Sequence, residues 1–407
     1  MFVGGMARLP RAPRVPSRLR AYAPAPQQLP AWLPAVGSFA DIGTSTLNAV
    51  KPSGWPTSES SGPFMNWSGG AWAPDFGAQG GYVVHGSGHL TVGTPIWAGV
   101  WVWDVATTTW VGRNVPAAPL LEPTPGTPPS GYNSYFESTD ASTSGHPYVP
   151  HTYDGLIYRS AANSGGTDGA LVRTFYAGST GVDANAVHEF DLSSATAPPT
   201  RRSNGITMGG SSGSYPSAAL DEARGGYWLM TYNGAGPLKF VPFSTFSPTN
   251  YAGVEFNAYG DQSLIYVPPR DCLVAMGRDG SGGVDLSLRV CPIVSGTPQG
   301  WTLVTQSGTP PADKRCGGVW STMLGKIVCY EADGSYTVHK LTVPADLTSG
   351  TWVWSSETLT GAAGATPSAN PTEANGAWGR FVEAPELGCF LWCDSISDAM
   401  QAWRLTV

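Results

Sequence analysis

The chain has 407 residues, with 22 lysines and arginines against 29 aspartates and glutamates, a net charge of −7, and only 13% charged residues. Its 52 glycines and 36 prolines, beside 41% apolar residues and 16 tryptophans, exclude a disordered chain, a coiled coil and a collagen-like rod, and favour a turn-rich all-β body. Residues 1–40 carry +5 and the remainder −12, so the body lacks the basic stripe that nucleic-acid binding needs.

Residues 1–31 form an Arg/Pro-rich arm. Pro10, Pro13, Pro16, Pro24, Pro26 and Pro30 prevent an amphipathic helix, and no apolar stretch marks a secretory signal, so the arm is expected to be extended and polyproline-like. Arg8, Arg11, Arg14, Arg18 and Arg20 have no acid beside them. They are the expected partner-binding residues, because forked guanidinium donors suit acidic grooves on a neighbouring protein or a second copy. Residues 32–407 are read as one body. In it, 37–47 is an orphan strand that precedes any hairpin.

A two-strand unit then recurs: an apolar strand, a polar turn, often a glycine, and a second apolar strand. It runs at Gly70–Trp72 with Gly81–Val84, His151–Tyr158 with Ala170–Val172, and Ser217–Leu220 with Gly226–Met230. Further copies are Ser263–Val267 with Cys272–Met276, Gly318–Trp320 with Lys326–Tyr330, and Gly379–Val382 with Cys389–Trp392. Alternating third strands follow, as at Val100–Asp104, Val187–Asp191 and Tyr336–Leu341, and aromatic-led fourth strands close several units, as at Trp110–Val111, Trp301–Val304 and Trp352–Trp354. Four short strands per unit, six times over, predict a six-bladed β-propeller. The last unit ends at Leu405 without a fourth strand, and 37–47 resembles the fourth strand of the fifth unit, so the N-terminal strand is expected to complete the last blade.

The longest apolar run, Ile96–Trp103, is too short to cross a bilayer, and no membrane insertion is expected. Cys272, Cys291, Cys316, Cys329, Cys389 and Cys393 show no CxxC and are expected to be buried free thiols, not a zinc site. Pro116–Pro150 is read as a long surface excursion between the first two blades and as a contact candidate.

The segments Asn66–Ala71, His85-Gly86-Ser87-Gly88-His89, Val102-Trp103-Asp104 with Trp110, and Pro150–Gly155 resemble kelch-type, galactose-oxidase-like propellers, and more closely a group of bacterial and tailed-phage members of mostly unassigned function. The resemblance covers about residues 32–407. It implies a kelch-like propeller and leaves the function open, since propellers host enzymes, lectins and assembly parts alike.

His85 and His89, which flank Gly-Ser-Gly toward the channel mouth, are the ligand-binding candidates, with His151 or His146 as a third group. The alternative is a turn whose histidines bond the backbone. Where similar proteins carry an acid soon after the second histidine, Leu90-Thr91-Val92-Gly93 stands here. A copper-oxidase centre would need a Tyr–Cys cross-link, yet every cysteine lies beyond residue 271; no GxSxG elbow is present, and Asp221-Glu222 is read as a solvated turn. The tryptophans Trp101 and Trp103 share a strand face and are expected to pack between blades. No catalytic residue, metal or cofactor is therefore expected. Two functions stay open: a non-enzymatic tailed-phage virion component on the tail or capsid surface, assembled in the host cytoplasm and bound to virion proteins, to its own copies or to a host receptor; or a galactose-oxidase-like enzyme or carbohydrate-binding propeller.

Overall fold

Strands such as Val100-Trp101-Val102-Trp103 are apolar at every position because both faces of each sheet are buried. Period-2 alternation then sends Trp101 and Trp103 into one neighbouring interface and Val100 and Val102 into the other. The computed structural model describes residues 29–51, 68–85, 95–96, 99–116, 120–121, 152, 154–174, 187–203, 206, 216–231, 237–254, 258–279, 286–312, 316–331, 335–361 and 377–407. Among them are six sheets of four or five strands, antiparallel except for a parallel outer pairing in two of them, arranged as the blades of a β-propeller.

Blade 1 comprises Gly69–Ala73, Gly81–His85, Val100–Asp104 and Thr109–Arg113. Blade 2 comprises Leu156–Arg159, Ala170–Arg173, Val187–Asp191 and Thr200–Ser203, and blade 3 Pro216–Asp221, Gly226–Thr231, Leu238–Pro242 and Thr249–Tyr251. In blade 4, Ala258–Val267, Cys272–Asp279 and Leu286–Val294 are followed by two short edge pieces, Thr297–Pro298 and Thr302–Leu303. Blade 5 holds Gly317–Ser321, Lys326–Tyr330, Thr337–Thr342 and Thr351–Thr358.

Blade 6 is completed from the other end of the chain. Its strands Val382–Ala384, Cys389–Trp392 and Met400–Arg404 are joined by Ser38–Ile42, in register from Ser38 opposite Arg404 to Ile42 opposite Met400. The first strands of the six blades neighbour one another in circular order, blade 6 against blade 1 included. Six hydrophobic clusters lie one at each blade–blade interface, so the core is a ring of wedges.

All six cysteines are free and buried, as the sequence leads one to expect. Trp101, Trp103 and Trp110 are buried in the cluster between blades 6 and 1. Three local expectations are corrected. The closing strand is shorter than 37–47: Gly43 turns the chain with φ +68°, and Leu47–Val50 form a helical turn capped by the Thr46 side chain. Blade 6 opens with a 3₁₀ turn at Trp378–Arg380, and its first strand starts only at Val382. Asp221 is fully buried, not solvated; it caps the turn by accepting from Arg224 N at 3.1 Å, takes Trp228 Nε1 at 2.9 Å, and pairs with the Arg224 guanidinium. That guanidinium also grips Asp271 of blade 4, so Asp221 belongs to a pin between blades.

Candidate functional site at the loop-bearing end of the axis

Strands alternate in direction, so each propeller end has its own connections. One end carries the turns inside blades, such as Glu222–Arg224 and Pro268–Arg270. At the other end lie the starts of the first strands, the ends of the second and the starts of the third. On this side lie the strand ends His85 and Val100, Arg173 and Val187, and Ser203 and Pro216, and most of the chain between each pair lies outside the described residues.

Here the backbones of neighbouring blades approach closely. A Cβ on Gly317 would lie 1.9 Å from the Trp378 carbonyl oxygen, and one on Gly70 would lie 3.2 Å from Arg380 Cα. Only glycine permits this approach of blades 5, 6 and 1. Asp154, just ahead of the first strand of blade 2, reaches three other blades here. Its main-chain carbonyl accepts from Ala218 N of blade 3 at 2.8 Å, and its Oδ2 accepts from Leu264 N of blade 4 at 3.1 Å. Its Oδ1 would lie 2.9 Å from a Cβ on Gly379 of blade 6. Burial pushes the Asp154 carboxyl well above the usual carboxylate range, and the hydrogen bonds from Leu264 and Ser263 offset this only in part. The carboxyl therefore favours its neutral form, which can donate a proton as well as accept one.

One step outward, between blades 1 and 2, three more polar side chains meet. Arg173 is buried, and its guanidinium lies 2.8 Å from His188 Nδ1, the residue opposite it on the next strand, and 3.4 Å from His85 Nε2. His85 Nδ1 faces the Gly99 carbonyl at 3.0 Å, which fixes the tautomer: Nδ1–H donates there and Nε2 offers its lone pair to Arg173. Burial, with the Arg173 charge second, pushes the His85 imidazole down to about 3. Thr152 ties this group to the inner strand, since its hydroxyl donates to the His85 carbonyl at 2.7 Å and accepts from Gly69 N at 2.9 Å.

Of the histidines singled out in the sequence, His85 thus sits in an interblade cluster and bonds the backbone through its ring. His89, His151 and the five arm arginines lie outside the described residues. Arg173 and His188 escape sequence reading because strands 88 residues and more from His85 must stack before they meet it; Asp154 stood in a quoted motif, but nothing local marked it as axial. Among the described residues no three His, Cys, Asp or Glu side chains converge as a metal would require. Burial raises the Cys272 and Cys389 thiols to about 12, so neither offers a thiolate nucleophile near neutral pH. What the arrangement does offer is a buried, proton-holding carboxyl and a guanidinium set between imidazoles, under the face with the long connections.

The depressed His85 value has a measurable consequence. Its folded-state pKa lies below the unfolded value of 6.5, so the unfolded chain binds the proton first and stability falls as pH drops from about 6.5 toward 3. His85→Asn, whose amide can replace the Nδ1–H donor, is expected to flatten this limb by up to about 1.4 kcal/mol per pH unit, the value of one proton. Urea titrations at several pH values read the slope; equal slopes in both proteins would refute a neutral, buried His85.

No protein-family model matches the chain, and no curated protein matches it. Among solved structures, a structural-genomics protein of unknown function from Bacteroides thetaiotaomicron is similar at 12% identity and a TM-score of 0.45, over 90% of this chain and 74% of that one. A puromycin hydrolase is similar at 13% identity and a TM-score of 0.38, over 77% of this chain and 41% of that one.

Proposed function

We propose that this protein is a non-enzymatic attachment or structural component of a tailed-phage virion, of the kelch-like propeller type, tethered to its assembly by the Arg/Pro-rich arm. The observation that carries the reading is the difference between the two ends of the ring. One end is built of short described turns and interblade pins, while the long connections all leave from the other. A closed ring whose longer connections leave from one face suits holding a partner at a fixed distance and orientation. The five arginines of residues 1–31, set against an acidic body, suit docking on another virion protein or on a second copy.

The test is assembly. Particles built with the full chain are compared with particles built with residues 1–31 deleted, and copy number is read by quantitative mass spectrometry. Loss of incorporation with the propeller still folded is expected. Full occupancy without the arm would overturn the tether, and a full-length chain found only as a free monomer would overturn the virion reading.

A second reading, a galactose-oxidase-like or carbohydrate-binding propeller, draws support from the placement of Asp154 and the His85–Arg173–His188 group at the loop-bearing end. Glycan-array binding by the purified chain, lost on Arg173→Ala, would favour it over the first.

A further inference from the structure

Residues 305–316 join blades 4 and 5, and their attachment is independent of the function proposed above. The connector begins as Thr305–Ser307, which lies parallel to Thr351–Thr358 at the outer edge of blade 5, with Gln306 Oε1 accepting from Trp354 Nε1 at 2.7 Å. Gly308 then turns the chain with φ +81°, so close to Trp354 that a Cβ would lie 2.2 Å from its carbonyl oxygen. Beyond the turn, two backbone groups reach buried side chains of blade 5. The Thr309 carbonyl faces His339 Nδ1 at 3.3 Å, and Ala312 N donates to Glu331 Oε1. The same Glu331 oxygen lies 3.2 Å from His339 Nε2.

Both ring nitrogens of His339 therefore face acceptors, a carbonyl and a carboxylate. A neutral imidazole has one N–H and one lone pair, so either tautomer turns a lone pair on an oxygen. The imidazolium alone satisfies both sides. We propose that His339 and Glu331 form a proton-operated clamp on the connector at 305–312, closed when the imidazole carries both protons and loosened when it loses one.

Among the described residues the groups facing His339 are few. From the end of the second strand come Glu331 and the cross-strand partner Cys329; from the fourth strand come uncharged Ser356 opposite it and the edge of the Trp354 ring, with centroids 6.5 Å apart. The described part of the connector, 305–312, supplies backbone groups. Lys340, the next residue, pairs instead with Glu357 and the Thr406 carbonyl. Cys316, ahead of the first strand of blade 5, accepts through its carbonyl from Ser263 at 3.3 Å, beside Asp154.

Native-state hydrogen exchange of the full chain tests this, with peptides spanning 305–312 and 351–358 read by mass spectrometry at about pH 6 and about pH 8.5. After correction for intrinsic rates, exchange in 305–312 is expected to rise roughly 5- to 10-fold at the higher pH, as suits the loss of a charge-assisted hydrogen bond, while 351–358 stays constant. His339→Gln should give the high-pH level at both values. Should that variant fail to fold, Glu331→Gln is expected to abolish the step in the same way. A flat wild-type profile, or a step that survives in either folded variant, would overturn the clamp.

Discussion

Deleting residues 1–44 is expected to abolish cooperative unfolding of the propeller. The deletion strips Met400–Arg404 of its partner strand and leaves blade 6 with an open edge. It also removes Phe39, which is buried between the Tyr336 ring, stacked at 4.0 Å, and the Trp403 ring at 5.5 Å, and Ile42, which is buried between blades 6 and 1. Removing one buried aromatic side chain typically costs about 3–5 kcal/mol, and the lost strand adds a second core residue and a backbone ladder. Native domains hold only about 5–15 kcal/mol in total, so the deletion should exhaust the margin. Urea unfolding followed by tryptophan fluorescence should show a broad transition with a lowered m-value. Phe39→Ala alone should keep the m-value and shift the midpoint. A truncated chain with the full-length midpoint and slope would mean that the ring closes some other way.

The second large effect is expected at Asp154, where two substitutions should separate packing from charge. Asp154→Ala removes the acceptor for Leu264 N and opens space between blades 2, 4 and 6, an unsatisfied buried donor plus a cavity, for about 2–4 kcal/mol. Asp154→Asn keeps the shape and an acceptor oxygen. The sign of the pH effect follows from the raised carboxyl. With a folded-state pKa above the unfolded 3.8, the folded chain holds a proton that the unfolded chain has released, so this group's contribution is full below about 3.8 and is lost as pH rises toward the folded value. Asp154→Asn, which has no proton to lose, should therefore gain on wild type as pH rises above 4, and the deficit of Asp154→Ala should be largest at low pH and shrink over the same range. Parallel wild-type and Asn stability curves between pH 4 and 8 would argue that the carboxyl is ionised in the fold. The Asp154 and His85 slopes have opposite signs and partly overlap, so each has to be read from its own variant.

Much of the architecture is written locally. The recurrence of apolar strand, turn and apolar strand carries blade count because each unit is short, nearly contiguous and closed by its own turns; the pairs Ser217 with Met230 and Ile265 with Val274 need only hairpin connections. Closure by the N-terminal strand could also be read, because a missing fourth strand at one end and an orphan strand at the other are both visible as pattern. Burial of Trp101 and Trp103 follows from alternation on a sheet with two covered faces.

The tertiary structure decided what depends on distant strands meeting. Asp221 looks like any acid in a turn until blade 4 brings Asp271 to the far side of Arg224 and Trp228 turns its N–H inward; burial with partners, and not residue type, makes it a pin. His85 stood out for its Gly-rich surroundings, yet burial, the Arg173 charge and the Gly99 carbonyl set its tautomer and basicity, and Arg173 arrives from another blade. Asp154 is an axial acid only because the first strands neighbour one another in a ring, with Gly70 and Gly317 on two of them and Gly379 in the turn before the blade 6 strand at the approach. Strand pattern is a nearest-neighbour property with period two, so composition and spacing record it. A buried charge network is a property of the closed ring, where sequence separation says nothing about distance.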